Sequence, residues 1–188
     1  FRKEDQQLRE RFDQFMAAIL ADGTHAEIRQ RWFEGDPRQA RMPEIPLPAE
    51  GPVLRLGTSV FVGLPYVGMM DGEYVGFDIE LARRFAVREG MRLVMEPLEF
   101  SALIPALTSG KLDLIASALA ITPERQKQVA FSTPYAEVSS VVLALKKNLP
   151  ATTGAAGEGA GQGAGQGGAP QGFLAELQAS FQANFILE

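Results

Sequence analysis

The 188 residues contain no cysteine and a single histidine, His25. Without cysteine there can be no disulfide, no thiolate nucleophile and no Cys-based zinc site. With one imidazole, a Ser-His-Asp triad or a His-rich metal site would have to be built on His25, which the surrounding polar residues mark as a surface or half-buried side chain. No metal and no cofactor is expected. Excess positive charge is missing as well: 18 Lys and Arg against 23 Asp and Glu leave a net charge of −5, and no basic run occurs. Nucleic acid is therefore not an expected partner, because backbone phosphates are bound by clustered Lys and Arg. There is no Walker sequence, and the GxGxxG spacing of Gly163, Gly165 and Gly168 lies in a Gly-rich tract without the preceding strand, following helix and nearby Lys or Arg that a phosphate cradle needs. No apolar run has the length of a signal peptide or a membrane span. The chain starts at Phe1, without Met and inside a helical pattern, and is expected to be part of a longer protein.

What is present is a hydrophobic content of 46%, enough for a core, distributed in five segments. Residues 1–35 predict a helix pair: Leu8, Phe12, Phe15, Met16 and Ile19 recur at helical spacing, Gly23 stops the first helix, and "THAE" from Thr24 fits a capping box closed by Glu27, with Ile28 and Trp32 on the buried side. Residues 36–52 are rich in Pro, which forbids helix, and read as a linker over the surface. Residues 53–148 alternate short β-like runs with helical ones. "VLRLGTS" and "RLVMEP" predict strands, "FDIELARRFAVREG" and "SALIPALTSG" helices ending at Gly90 and Gly110, "DLIASALA" a buried central strand and "SSVVLALKK" a later one. Strands spaced by helices imply βαβ units, hence an α/β domain with a largely parallel sheet. Residues 149–172 form a Gly, Ala and Gln tract too poor in large apolar residues to fold. Residues 173–188 return to an amphipathic helical pattern through Phe173, Leu174, Leu177, Phe181 and Phe185.

Few side chains nominate chemistry. Asp78 with Glu80 and Glu96 with Glu99 could pair, yet neighbours in sequence usually mark a solvated face, and no nucleophile accompanies them. "ITPERQKQVAFSTPY" is more pointed. Thr122 and Pro123 start a helix, which sets Arg125 near the positive end of its dipole, a placement unfavourable by a few tenths of a kcal/mol. Something anionic should compensate: an internal carboxylate such as Asp113, or a ligand.

The runs "LRLGTSVFVGLPYV", "GEYVGFDIELARRFA", "EFSALIPALTSGKLDLIASALAITPERQKQVAFSTPY" and "VVLALKK" resemble the first lobe of the polar amino-acid class of bacterial extracellular solute-binding proteins (family 3), the two-lobed receptors of ABC importers. The resemblance covers about 95 residues in unbroken order. It implies a type II periplasmic-binding-protein-like α/β fold, here as a single lobe with a mostly parallel sheet flanked by helices. The first 35 residues are similar to the helices that close this fold after the second lobe, so the order looks circularly permuted, with no second lobe after "VVLALKK". The arrangement resembles importers in which an extra copy of the first lobe precedes a fused permease, and residues 173–188 look like the lead-in to it.

The resemblance further implies that Arg125 holds the α-carboxylate of an amino acid, that Phe100 lies against the ligand side chain, and that Ser117 offers polar contacts, with Ala118 beside it. Phe61 is the match for an aromatic after the first strand. Ser59 stands where the family usually carries an Asp for the ligand's ammonium, and Ala120 where it carries Ser or Thr for the carboxylate. Losing a charge-assisted contact of that kind costs roughly 1.5 to 3 kcal/mol, so weakened or altered binding is expected. The implied partners are an amino acid, an ABC permease and a neighbouring solute-binding domain, at the periplasmic or extracellular face of the cytoplasmic membrane. A docking module without ligand is the alternative. Related lobes occur in periplasmic dehydratases and cell-wall lytic enzymes, but with no acid–base pair in view an enzyme is not expected.

Overall fold

The computed structural model describes residues 1–137, which lie within one compact unit. The strand expected in "SSVVLALKK" (139–147), the 149–172 tract and the 173–188 helix lie outside the described residues.

Three parallel strands form the centre in the order β4-β1-β5. β1 (Val53–Thr58) pairs along its full length with β4 (Arg92–Pro97), Val53 opposite Arg92 and Thr58 opposite Pro97. On its other side β1 pairs with β5 (Leu114–Ile115), Leu56 opposite Leu114. The expected strand "DLIASALA" is therefore shorter than its apolar run, and among the described residues β1, not β5, is central. The run stops because Ala118 turns to φ 47, a left-handed value that ends any strand.

α3 (Phe77–Arg88) carries the crossover from β1 to β4, and α4 (Leu103–Thr108) the one from β4 to β5. Both end as their glycines require: Gly90 and Gly110 sit at φ 64 and φ 78, and Met91 N–H and Lys111 N–H bond back to the carbonyls of Ala86 and Ala106 at 2.8 and 3.0 Å. Before α3, β2 (Gly68–Met70) and β3 (Glu73–Val75) make an antiparallel hairpin. Its turn residues, Asp71 and Gly72, both have positive φ, as a two-residue turn matched to strand twist requires. Sequence reading placed no strand here, although the Asp-Gly pair was the available signal.

The sheet separates two apolar clusters. On one face Leu54, Leu56 and Leu114 join α3 and the N-terminal helices, while on the other Leu103, Leu107, Leu112 and Val129 pack with Ile115. Gly57 lies on the second face, where a Cβ would collide with Leu112 Cδ1, so this strand glycine lets α4 close on the sheet.

α1 (Gln6–Ala21) and α2 (Thr24–Phe33) pack on α3. Phe12 and Phe15 meet the Phe85 ring at centroid distances of 5.0 and 5.6 Å, and Met16, Ile28 and Trp32 are buried beside them. The capping box expected at Thr24 is not formed. Gly23, at φ 85, is the cap residue and has no side chain to offer, and Thr24 N–H bonds instead to Asp22 Oδ1 at 2.9 Å. The pairing of Asp78 and Glu80 on a solvated face is also overturned, since both side chains are 0% exposed. Glu80 is held by five hydrogen bonds: from Arg31 Nη1 to both oxygens at 2.7 and 2.9 Å, from Trp32 Nε1 at 2.8 Å, and from Arg84 Nε and Nη2 at 3.0 and 2.8 Å. A buried carboxylate needs such partners, because alone it would not stay charged.

Because Phe12 fills the centre of this contact, Phe12→Ala should lower unfolding free energy in urea by roughly 3–5 kcal/mol. Leu20→Ala on the same helix, at a residue 53% exposed, should cost less than about 0.5 kcal/mol. Equal effects would mean that the helix pair does not contribute to the core.

Candidate functional site

In an open parallel sheet, ligands bind outside the carboxyl ends of the strands, where successive crossovers leave in opposite directions. Here α3 serves the β1–β4 side and α4 leads across to β5, so the switch point lies beside β1. Every candidate residue lies beyond that edge. Ser59 and Phe61 follow β1, Phe100 follows β4 in the 3₁₀ turn Phe100–Ala102, and Ser117, Ala118 and Ala120 follow β5, leading into α5 (Pro123–Gln126) with Arg125.

The loop from Ser117 to Ala120 is tied down by three side chain to backbone bonds. Ser59 N–H donates to Ser117 Oγ at 3.0 Å, Ala118 N–H donates to Asp78 Oδ2 at 2.6 Å, and Arg125 Nη1 donates to the Ala120 carbonyl at 2.9 Å. Arg125 also stands over the Phe100 ring, 5.6 Å from its centroid, a cation–π contact that orients a guanidinium without neutralising it. Thr122 Oγ1 accepts from Arg125 N–H at 3.3 Å, the cap read from the sequence.

The helix is a single turn of four residues, so the dipole that made Arg125 look misplaced is small, and the anion-attracting character rests on the guanidinium itself. The internal partner considered for it is otherwise engaged. Asp113 accepts from Arg55 Nε and Nη2 at 3.1 Å each and from Arg2 Nη2 at 3.2 Å. Burial pulls the Asp113 carboxyl up, but the hydrogen bonds from Arg55 outweigh it and hold the group below its usual range. Among the described residues no carboxylate oxygen lies within 4.0 Å of Arg125.

Two groups of candidates result. Arg125, Phe100 and Ala120 form a partly open cluster. Ser59 and Ser117 are fully buried against each other, and Ser59 Oγ has no hydrogen-bond partner. Phe61 stands apart: it is 74% exposed and takes part in none of the aromatic contacts among the described residues. A cavity of about 280 Å³ opens beside the loop, lined by Tyr66, Ala118, Ala120, Phe131 and Tyr135 among others. It includes neither Arg125 nor Phe100, so a carboxylate on Arg125 would lie outside it.

Asp78 was missed by sequence reading. Its carboxyl is walled in by Tyr66, by Tyr135 and by the Ala118 amide, and Oδ1 lacks a partner at hydrogen-bonding distance. His25 approaches the same corner, with Nε2 2.8 Å from the Tyr135 carbonyl and its ring edge-on to Phe77. Burial raises the Asp78 pKa to about 7, against the opposing pull of the Ala118 N–H and the Tyr135 hydroxyl. Burial, then the Asp78 charge, pushes the Tyr135 phenol well above its ordinary value. No signal in "GFDIELA" distinguishes this buried Asp from an exposed one.

The folded chain thus keeps the Asp78 proton up to about pH 7, while the unfolded chain releases it near the ordinary value of 3.8. Between those limits the native state holds the extra proton, so this group's contribution to stability falls as pH rises, by at most about 1.4 kcal/mol per pH unit, and levels off above. Asp78→Asn has no such proton to lose. Urea denaturation across that range should show the variant gaining on the parent chain as pH rises, and parallel curves would contradict the buried carboxyl.

Residues 55–182, more than half of the chain, match the family described as bacterial extracellular solute-binding proteins, family 3. Among curated relatives, a probable histidine-binding protein of Campylobacter jejuni is 40% identical over 84 residues, covering 45% of this chain and 33% of the relative. An ABC transporter arginine-binding protein of Escherichia coli is 45% identical over 76 residues, covering 40% and 31%. The chain spans about a third of the length of these relatives. A solved ancestral arginine-binding protein bound to arginine is 43% identical, with 45% of this chain and 38% of that one covered at a TM-score of 0.44. With its parallel sheet, flanking helices and matched segment running from β1 through the loops at the sheet's carboxyl edge, the chain belongs to the family 3 bacterial extracellular solute-binding proteins.

Proposed function

We propose that this chain is the first lobe of an amino-acid receptor serving an ABC importer, and that Arg125 receives the ligand's α-carboxylate. One observation carries the reading: a guanidinium at the carboxyl edge of the sheet is oriented by Phe100 and the Ala120 carbonyl, yet has no carboxylate partner among the described residues. A fork-shaped donor left in this state suits a planar anion and would make charge-assisted bonds to it. Relatives named for histidine and arginine binding support an amino acid with a polar or basic side chain as the solute. The helix pair of residues 1–35 takes the place of the family's closing helices in permuted order. On this reading residues 53–148 are the lobe, residues 149–172 a Gly-rich linker and residues 173–188 the lead-in to a fused permease. A second lobe, needed to enclose the ligand, would come from a neighbouring binding domain.

A docking role without ligand is the second reading, and Ser59 favours it. No carboxylate follows β1 to meet an ammonium, and the hydroxyl that replaces it is buried. Ala120, too, offers no hydroxyl, and its carbonyl is already used by Arg125.

Calorimetric titration with L-arginine, L-histidine, L-lysine and L-glutamine separates the two. The receptor reading expects saturable binding of at least one of them, weakened roughly 30- to 100-fold by Arg125→Ala with the melting temperature little changed. Silence towards all four would favour docking.

A further inference from the structure

Ala118 is one of two residues other than glycine at positive φ among the described residues, and the other, Asp71, sits in a hairpin turn that explains it. No turn of that kind surrounds Ala118. An L-residue with a Cβ avoids the left-handed region unless something fastens it there, and what fastens Ala118 is the short bond from its N–H to Asp78 Oδ2 at 2.6 Å. Asp78 reaches it from the first turn of α3, forty residues away in sequence, fully buried and with a second oxygen that has no partner. The two remaining ties of the loop come from Ser117 and Arg125, both candidates for ligand contact. Asp78 alone stands behind the loop.

We propose that Asp78 is the positioning residue of the ligand loop: by holding the Ala118 amide it keeps residue 118 left-handed, and so fixes where Ala118 to Ala120 and the Arg125 guanidinium bonded to them stand. The inference rests on the receptor reading above for its ligand consequence, and on the geometry alone for its conformational one. Without the bond, residue 118 relaxes towards the ordinary right-handed or extended regions, the Ala120 carbonyl turns away, and Arg125 loses its tether. Glycine at 118 would occupy the left-handed region without help, so it should make the loop indifferent to Asp78.

The test uses the full chain as parent, Asp78→Ala, Ala118→Gly and the double variant, with two readouts: hydrogen exchange of the Ala118 to Ala120 amides without ligand, and calorimetric affinity for whichever of the four amino acids binds the parent. Expected is strong protection of the Ala118 amide in the parent and its loss in Asp78→Ala, with protection in β1 unchanged. Affinity should fall roughly tenfold or more in Asp78→Ala relative to the parent, and the double variant should bind at least roughly threefold more tightly than Asp78→Ala, a rescue read against Ala118→Gly as its own reference. A filler of space would show no such rescue by a glycine that fills nothing. Equal protection in parent and Asp78→Ala overturns the proposal, as does additive loss in the double variant. Should Asp78→Ala fail to fold, Asp78→Asn is read instead. Its amide oxygen can still accept from Ala118, so protection and affinity near the parent's are expected, and an effect as large as the loss of Arg125 contradicts the role. If no amino acid binds the parent, the receptor reading fails, and the exchange data alone still decide whether Asp78 holds the loop.

Discussion

Much of this lobe hangs on the first turn of α3, where two carboxylates two residues apart are both removed from water. Glu80 faces the N-terminal helices and is neutralised by Arg31 and Arg84 with a further bond from Trp32. Asp78 faces the strand ends and is met by one backbone amide. The contrast follows from what surrounds each. Two guanidinium partners offset the burial of one carboxylate, whereas a carboxyl met by a single amide responds to burial with a raised pKa. Removing one partner of the Glu80 cluster would strand a buried charge, which makes the cluster a strict constraint on where the helix pair can sit.

The same turn therefore couples fold and site. Its outer side fixes α1 and α2 against Phe85 and the sheet, and its inner side fixes the loop after β5. Along the sheet's carboxyl edge, arginines divide by task. Arg55, with Arg2 from the chain's start, is spent on Asp113, below the edge, while Arg125 above it meets, among the described residues, an aromatic face and a carbonyl but no carboxylate. A guanidinium so placed is preorganised for an anion at little further entropic cost.

Local signals were legible in the sequence where they were self-contained. β1, where buried Leu54 and Leu56 alternate with exposed Val53 and Arg55, and β4, a short apolar run between Gly90 and Pro97, fell where the pattern put them, and α3 and α4 ended at the glycines that read as stops. The Thr122-Pro123 helix start was equally plain. What escaped depended on distant partners. Asp78 and Glu80 looked like a solvated pair because Arg31 and Trp32, nearly fifty residues earlier, are invisible to any local window. Thr24 looked like a cap because its side chain and Glu27 fit the spacing, yet Gly23, free to take positive φ, turned the chain one residue sooner. β5 looked long because Ala116, Ala118, Leu119 and Ala120 are apolar, but there the chain turns at Ala118, whose N–H is held by Asp78. The placing of the site residues at one edge came from family resemblance more than from the residues taken singly. Composition by itself could not have separated Phe100, which lies beneath Arg125, from Phe61, which points to solvent.

On the receptor reading, the Arg125 guanidinium is reserved for a carboxylate. Comparing L-arginine with agmatine, the same molecule lacking the α-carboxylate, tests this most directly, because side-chain contacts are common to both. Calorimetry of the full chain should give saturable binding of L-arginine and at least roughly 30-fold weaker binding of agmatine, a difference that vanishes in Arg125→Ala. Equal affinity of the two ligands for the parent chain would contradict the claim.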